Sequence, residues 1–186
     1  LIVCALGMLN SMDHFIDLQF ADLYNFKYSL SLKQDITADE IKVLTDEYGD
    51  KTSQILGIEI KDKDGNREAN TLFVHDAGDY VRFIDPDNDF MTLDRDDGVY
   101  ITHKLGENEN IKVGDTVSWH VYGSKDYYES KVVGYNKDPQ TQGLTATRAY
   151  IESLGLDYTP NTIYTNDDLS NKKDIANVEI VQDKNG

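Results

Sequence analysis

Alternation of apolar and polar residues between Thr116 and Tyr122 is the pattern that most restricts the fold of this 186-residue chain. Every second position there is apolar, which predicts a β-strand with one buried face. A second run, Tyr127 to Tyr135, is rich in Tyr and Val and predicts another strand. The turn-forming residues of segment 123–126 join the two runs, so together they predict a β-hairpin.

The rest of the chain predicts an alternation of short strands and helices. A capping-box spacing at Thr37 and Glu40 opens a helix that Gly49 ends, with Ile41, Leu44 and Tyr48 on one side. The pair Asp64-Gly65 predicts a hairpin turn. The predicted strands are Phe26 to Leu32, Ile55 to Lys61, Leu72 to His75, Tyr80 to Ile84, Val99 to Ile101, Asn161 to Thr165 and Val178 to Val181. A further helix is predicted from Thr145 to Leu154, and the polar segment from Thr102 to Asn110 is predicted to be a helix or a turn.

The first nine residues, Leu1 to Leu9, are almost entirely apolar. Nine residues are too few to span a bilayer, which needs about 20. The run is therefore either the exit end of a transmembrane helix or a buried core helix. An amphipathic helix follows from Asn10 to Leu23, with its apolar side chains at helical spacing.

The charge of the chain excludes one class of partner. The formal net charge is -16, and a nucleic-acid backbone would be repelled by it. The single cysteine, Cys4, excludes an internal disulfide bond.

No catalytic motif is present in the sequence. The four histidines have no metal-ligand spacing, and there is no phosphate-binding loop, nucleophile elbow or dinucleotide fingerprint. His120 alternates with Trp119 and Val121, which places it on the predicted solvent face of its strand. We therefore expect a protein that is not an enzyme and that has no cofactor.

One acidic stretch has partial metal-binding spacing. Asp85, Asp87, Asp89 and Asp96 fall on the first, third, fifth and twelfth positions of a calcium-binding helix-loop-helix motif. However, Phe90 stands where the sharp turn needs Gly, and Asp96 is shorter than the Glu that binds in bidentate fashion. A solvated loop is favoured over a weak calcium site.

Several segments together carry a family resemblance: "GVYIT-HKL" from Gly98, then "IKVGDTVSW" from Ile111, a hairpin ending in "ESKVVGY", and "YTPNTIY" from Tyr158. Their order and spacing resemble the extracytoplasmic domain of FtsX-like, MacB-type ABC transporter permeases. The resemblance covers nearly the whole chain and is firmest from Gly98 to Thr165.

The resemblance implies an α+β fold with two lobes. Residues 1–24 would be the end of a transmembrane helix and its exit helix, and residues 25–186 the extracytoplasmic domain. A β-α-β-rich, porter-like lobe would comprise about 25–78 plus 140–186, and a β-rich inserted lobe about 79–139.

The resemblance also implies a function and partners. The domain would be a non-enzymatic part of a permease, lying between its first and second transmembrane helices on the extracellular side of the cell membrane. It would contribute to export or mechanotransmission driven by a separate ATP-binding subunit. The implied partners are that subunit, a second permease copy, and a peptide, lipid or lipoprotein cargo or accessory protein.

For such a domain, the predicted partner contacts are Tyr127 and Tyr128 and the loop from Asp85 to Asp97. The alternative is a free-standing secreted or surface-anchored module that binds a ligand. A hydrolase ranks below both, because its motifs are missing.

Overall fold

The computed structural model describes residues 28–33, 36–76, 83–137, 142–167, 169 and 178–182. The predicted transmembrane end and exit helix, at 1–24, lie outside these residues. Within the part that is described, no helix is long and apolar enough to cross a membrane.

The described elements confirm an α+β fold. The helices are α1 (Ala38–Tyr48), α2 (His103–Glu109) and α3 (Arg148–Ser153). The strands are β1 (Tyr28–Leu32), β2 (Thr52–Lys61), β3 (Arg67–His75), β4 (Phe83–Ile84), β5 (Phe90–Met91), β6 (Val99–Thr102), β7 (Thr116–Val121), β8 (Tyr128–Asn136), β9 (Gly143–Thr147), β10 (Thr162–Thr165) and β11 (Val178–Gln182).

Six strands close into a barrel in the order β2-β3-β9-β6-β8-β7, and β7 pairs back to β2. The closing seam is antiparallel and joins residues 58–61 of β2 to residues 118–121 of β7. The start of β2 pairs with β10 instead, at Thr52 and Ser53. The long strand β2 is therefore shared between the barrel and the open sheet β11-β1-β10 that continues from it.

Apolar side chains from all six strands fill the barrel. Trp119 is completely buried at the centre, and its indole N–H donates to Ser130 Oγ at 2.9 Å. The hydroxyl of Tyr150 donates to the same Ser130 oxygen at 2.7 Å, so both buried polar groups have partners. The strand residues of this core are Ile58, Ile60, Leu72, Val74, Val99, Ile101, Val117, Trp119, Val132, Leu144 and Ala146.

Helix α1 covers the open sheet. Leu44 and Tyr48 pack with Leu30 and Ile163 in a second core, as the sequence predicted for that face of the helix. Thr37 Oγ1 accepts the backbone N–H of Glu40 at 3.2 Å, and the helix ends at Gly49, whose φ is +127°. Both predicted helix boundaries are thus confirmed.

The predicted hairpin of β7 and β8 and the helix α2 are also confirmed. The helix predicted from Thr145 to Leu154 is wrong in its first part, because residues 143–147 form the buried strand β9. The helix starts only after Thr147, whose Oγ1 accepts the N–H of Tyr150 at 3.2 Å. In this helix Ile151 is buried, whereas Ala149 is exposed.

Strands from both predicted lobes belong to one sheet. Strands β2, β3 and β9 come from the first predicted lobe, whereas β6, β7 and β8 come from the predicted insertion. All six share the barrel and its core. The division into two lobes stays a prediction.

Two tyrosines near the start of β2, the buried Tyr164 and the half-buried Tyr158, make the fold sensitive to alkali. Burial raises the pKa of Tyr164 to about 12, although a hydrogen bond with Ser53 opposes this, and burial raises the pKa of Tyr158 to about 12 as well. In an unfolded chain a tyrosine ionises near about pH 10. Between these values the unfolded chain loses protons that the folded chain keeps, so the free energy of unfolding falls as pH rises.

We therefore expect the Tyr164→Phe variant to lose less stability than the native chain between about pH 10 and about pH 12. Urea denaturation at a series of pH values measures this. An equal decline in the native chain and the variant would contradict the assignment.

Candidate functional site

A pocket of about 280 Å³ opens at one end of the barrel. It lies where β2 ends and β3 and β7 begin, next to α2. The aliphatic side chains of Ile60, Leu105, Ile111 and Val117 form its apolar lining. Ile60, Leu105 and Val117 are also buried members of the barrel core, so the floor of the pocket is part of that core.

Three carboxylates converge at this pocket. Asp62 lies in the β2–β3 turn, Glu68 at the start of β3 and Glu109 at the end of α2, and one oxygen of each lies within 4.8 Å of the others. A hydrogen bond from the protonated Glu109 carboxyl group to Glu68 raises the pKa of Glu109, and desolvation and the charges of Glu68 and Asp62 add to that effect. A positive charge among the three would relieve this repulsion.

The two lysines that line the pocket each have a contact of their own. Lys63 Nζ donates to the backbone oxygen of Asn110 at 3.1 Å, and Lys61 Nζ lies 5.7 Å from the centre of the Tyr127 ring. An apolar pocket with a few converging polar groups and a perturbed pKa is the usual form of a ligand site. The chemistry here suits a ligand that has an aliphatic body and a positive charge.

The predicted calcium residues do not come together among the described residues. Asp85 Oδ1 accepts the backbone N–H groups of Asp87 at 2.9 Å and Asp89 at 3.0 Å, and so stabilises the turn between β4 and β5. Asp96 Oδ1 accepts the hydroxyl of Thr147 at 2.6 Å. Asp87 and Asp89 are exposed, as a solvated loop requires.

The two residues predicted to contact a partner, Tyr127 and Tyr128, lie in different environments. The Tyr128 ring lies 5.0 Å from that of Trp119 and packs against the barrel core. Tyr127 is 38% exposed, and its ring lies 4.6 Å from that of His120. Of the two, Tyr127 is the one with a surface open to a partner.

The expectation that His120 is solvent-exposed is wrong. The residue is on the outer side of the barrel, yet it is only 6% exposed because Tyr127 lies across it. Its ring nitrogens have close partners: Nε2 lies 2.7 Å from Glu59 Oε1, and Nδ1 lies 2.7 Å from the backbone oxygen of Ser124.

A second, more open cleft of about 390 Å³ lies at the other end of β3, beside α3. Burial lowers the pKa of His75 there, although the charge of Asp76 opposes the shift. Arg148 contacts both Asp76 at 3.3 Å and Glu152 at 2.9 Å. Because these charged groups already bind one another, the barrel-end pocket is the better candidate site.

Sequence reasoning missed the pocket. Its three carboxylates come from a turn, a strand and a helix, and only the fold brings these segments together. The signal that existed was the predicted Asp64-Gly65 turn, which has acidic residues on both sides.

No protein-family model matches the chain, and no curated protein matches its sequence significantly.

Proposed function

We propose that this chain is a non-enzymatic extracytoplasmic domain of an FtsX-like, MacB-type ABC transporter permease, on the outer side of the cell membrane. The observation that carries the proposal is the order of the segments from Gly98 to Thr165 in the sequence. In that role the domain contributes to export or mechanotransmission, a separate ATP-binding subunit supplies the energy, and two permease copies act together.

The architecture is compatible with transmission of movement. Strand β2 belongs to the barrel through β3 and β7 and to the open sheet through β10. The barrel and the open sheet therefore share one continuous strand, and a displacement of the open sheet would be passed to the barrel. This supports the proposal without identifying a cargo.

The test uses the full-length gene product in its native membrane. We expect it to stay with the membrane through extraction at alkaline pH and, after mild detergent treatment, to copurify with a polypeptide that hydrolyses ATP. Release into the soluble fraction by the alkaline wash would contradict the proposal.

The second candidate is a ligand-binding module, and the barrel-end pocket is the observation that favours it. We infer that the pocket takes a protonated amine on a short aliphatic chain. Its apolar lining would contact the chain, and Asp62, Glu68 and Glu109 would surround the ammonium group. A volume of about 280 Å³ suits a group the size of one side chain better than a drug-sized molecule.

Pentylamine is a suitable probe for this inference. We expect saturable binding with a dissociation constant on the order of 1 mM, as about -4 kcal/mol would give. The Glu109→Gln variant should bind about tenfold more weakly, because it loses about 1.4 kcal/mol of attraction. Chemical-shift changes of the pocket amides measure both constants.

The matched control is Glu107→Gln, which removes the same charge from the same helix outside the pocket lining. It should leave pentylamine binding unchanged. Equal binding of pentanol and pentylamine, or an unchanged constant for Glu109→Gln, would argue against the inference.

A further inference from the structure

The closing seam of the barrel contains an acid–base pair, a buried histidine and a half-buried glutamate, that the proposed function does not use. Glu59 of β2 and His120 of β7 are directly opposite in the antiparallel register. Their side chains are 22% and 8% exposed, and 2.7 Å separates Glu59 Oε1 from His120 Nε2. The pair therefore lies where the first and last strands of the barrel meet.

The hydrogen-bond partners of His120 fix how many protons the pair needs. The backbone oxygen of Ser124 can only accept, so Nδ1 must be the donor in that 2.7 Å contact. An ionised Glu59 also can only accept, so Nε2 must donate to it. Both contacts are satisfied by an imidazolium, or by a neutral ring if Glu59 itself holds the second proton.

Without that second proton, His120 and Glu59 cannot form a hydrogen bond with each other while His120 donates to Ser124. A neutral ring that donates through Nδ1 presents a lone pair at Nε2, and the Glu59 carboxylate presents another lone pair at 2.7 Å. Two acceptors at that distance repel each other, because no hydrogen-bond donor lies between them.

The pair also holds the hairpin that covers it. Ser124 lies in the loop between β7 and β8, and the Tyr127 ring at the end of that loop lies 4.6 Å from the His120 ring. The other charged groups around this contact are Lys61 of β2, 5.7 Å from the Tyr127 ring, and Arg67 of β3, 6.0 Å from it.

We propose that Glu59 and His120 form a proton-controlled latch that fastens the hairpin loop 123–127 to the closing seam of the barrel. With the second proton present, His120 bridges Glu59 and Ser124 and supports Tyr127. When that proton leaves, the contact with Glu59 breaks while the bond from Nδ1 to Ser124 remains. The His120 ring and the loop bonded to it are then no longer fastened to β2, so the loop and the exposed Tyr127 surface loosen together. The latch acts whichever of the two candidate functions holds, because it depends only on the seam.

Amide hydrogen exchange of residues 124–128 tests the latch at about pH 5.5 and about pH 8, the two sides of the range in which imidazoles change charge. Protection factors, corrected for the intrinsic pH dependence of exchange, should be about fivefold larger at the acidic value, as expected for one additional hydrogen bond. In the His120→Gln variant that difference should disappear.

Two further variants make the result decisive. His103→Gln is the matched control, because it removes an exposed histidine that also faces a glutamate, Glu107, and it should keep the native difference. Glu59→Gln places an amide donor opposite Nε2, so a neutral ring can keep both contacts and the loop should stay protected at both pH values.

Nitrogen chemical shifts of the His120 ring provide an independent readout. We expect both nitrogens protonated at the acidic value and Nδ1 alone protonated at the alkaline value. An Nε2-protonated neutral ring, a pH difference that survives in His120→Gln, or one that is lost in His103→Gln would overturn the proposal.

Discussion

The Trp119→Ala variant is expected to lose about 3–5 kcal/mol of its free energy of unfolding, the cost of emptying a large aromatic site in a packed core. Trp119 is completely buried at the centre of the barrel and packs against Tyr128. Its removal also takes the indole N–H away from Ser130. A loss of this size is a large fraction of the stability of a typical domain.

Urea denaturation followed by far-ultraviolet circular dichroism measures the change, because Trp119 is the single tryptophan and its fluorescence disappears with it. Tyr122→Ala is the matched control: this ring is 66% exposed just beyond β7, and we expect a change within about 0.5 kcal/mol. A similar loss in both variants would mean that the barrel interior is not the main source of stability.

The Gly143→Ala variant is expected to lose about 3 kcal/mol or more, because it combines backbone strain with a steric clash. Gly143 has a φ of +153°, which side chains rarely adopt, and it pairs with Thr71 in the parallel ladder between β3 and β9. A Cβ atom at this position would collide with the backbone oxygen of Thr71. The barrel would have to open at that ladder to accept it.

Gly57→Ala is the comparison for this second variant. Gly57 is also a strand glycine, in β2, but a Cβ there meets no atom within 4 Å. Alanine costs less backbone entropy than glycine in a strand, so we expect a neutral or slightly stabilising change of up to about 1 kcal/mol. Equal effects at both glycines would contradict the close approach of β9 to β3.

Elements with one buried face could be predicted from the sequence. The period-2 pattern of Thr116 to Tyr122 indicated β7, and helix α1 followed from its spaced apolar residues and its cap. Strand β9 was missed because it has only five residues and runs directly into α3, although Leu144 and Ala146 in the core alternate with Thr145 and Thr147.

The candidate sites depended on contacts that no local pattern encodes. Alternation correctly placed His120 on the outer side of β7, but its burial comes from Tyr127, across a hairpin loop. The pocket carboxylates Asp62, Glu68 and Glu109 meet only because the β2–β3 turn lies against the end of α2. Closure of the barrel through β2 and β7 likewise could not be predicted from the sequence of either strand alone.

The measurement that tests the proposed function most directly is the membrane sidedness of Lys125, an exposed residue in the hairpin loop between β7 and β8. The full-length protein would carry Lys125→Cys in an otherwise cysteine-free background, and intact cells would be treated with a membrane-impermeant maleimide. We expect labelling on intact cells. The control is that the variant is folded and its thiol is reactive. Labelling only after the cells are broken would then place the domain in the cytoplasm and contradict the proposed function.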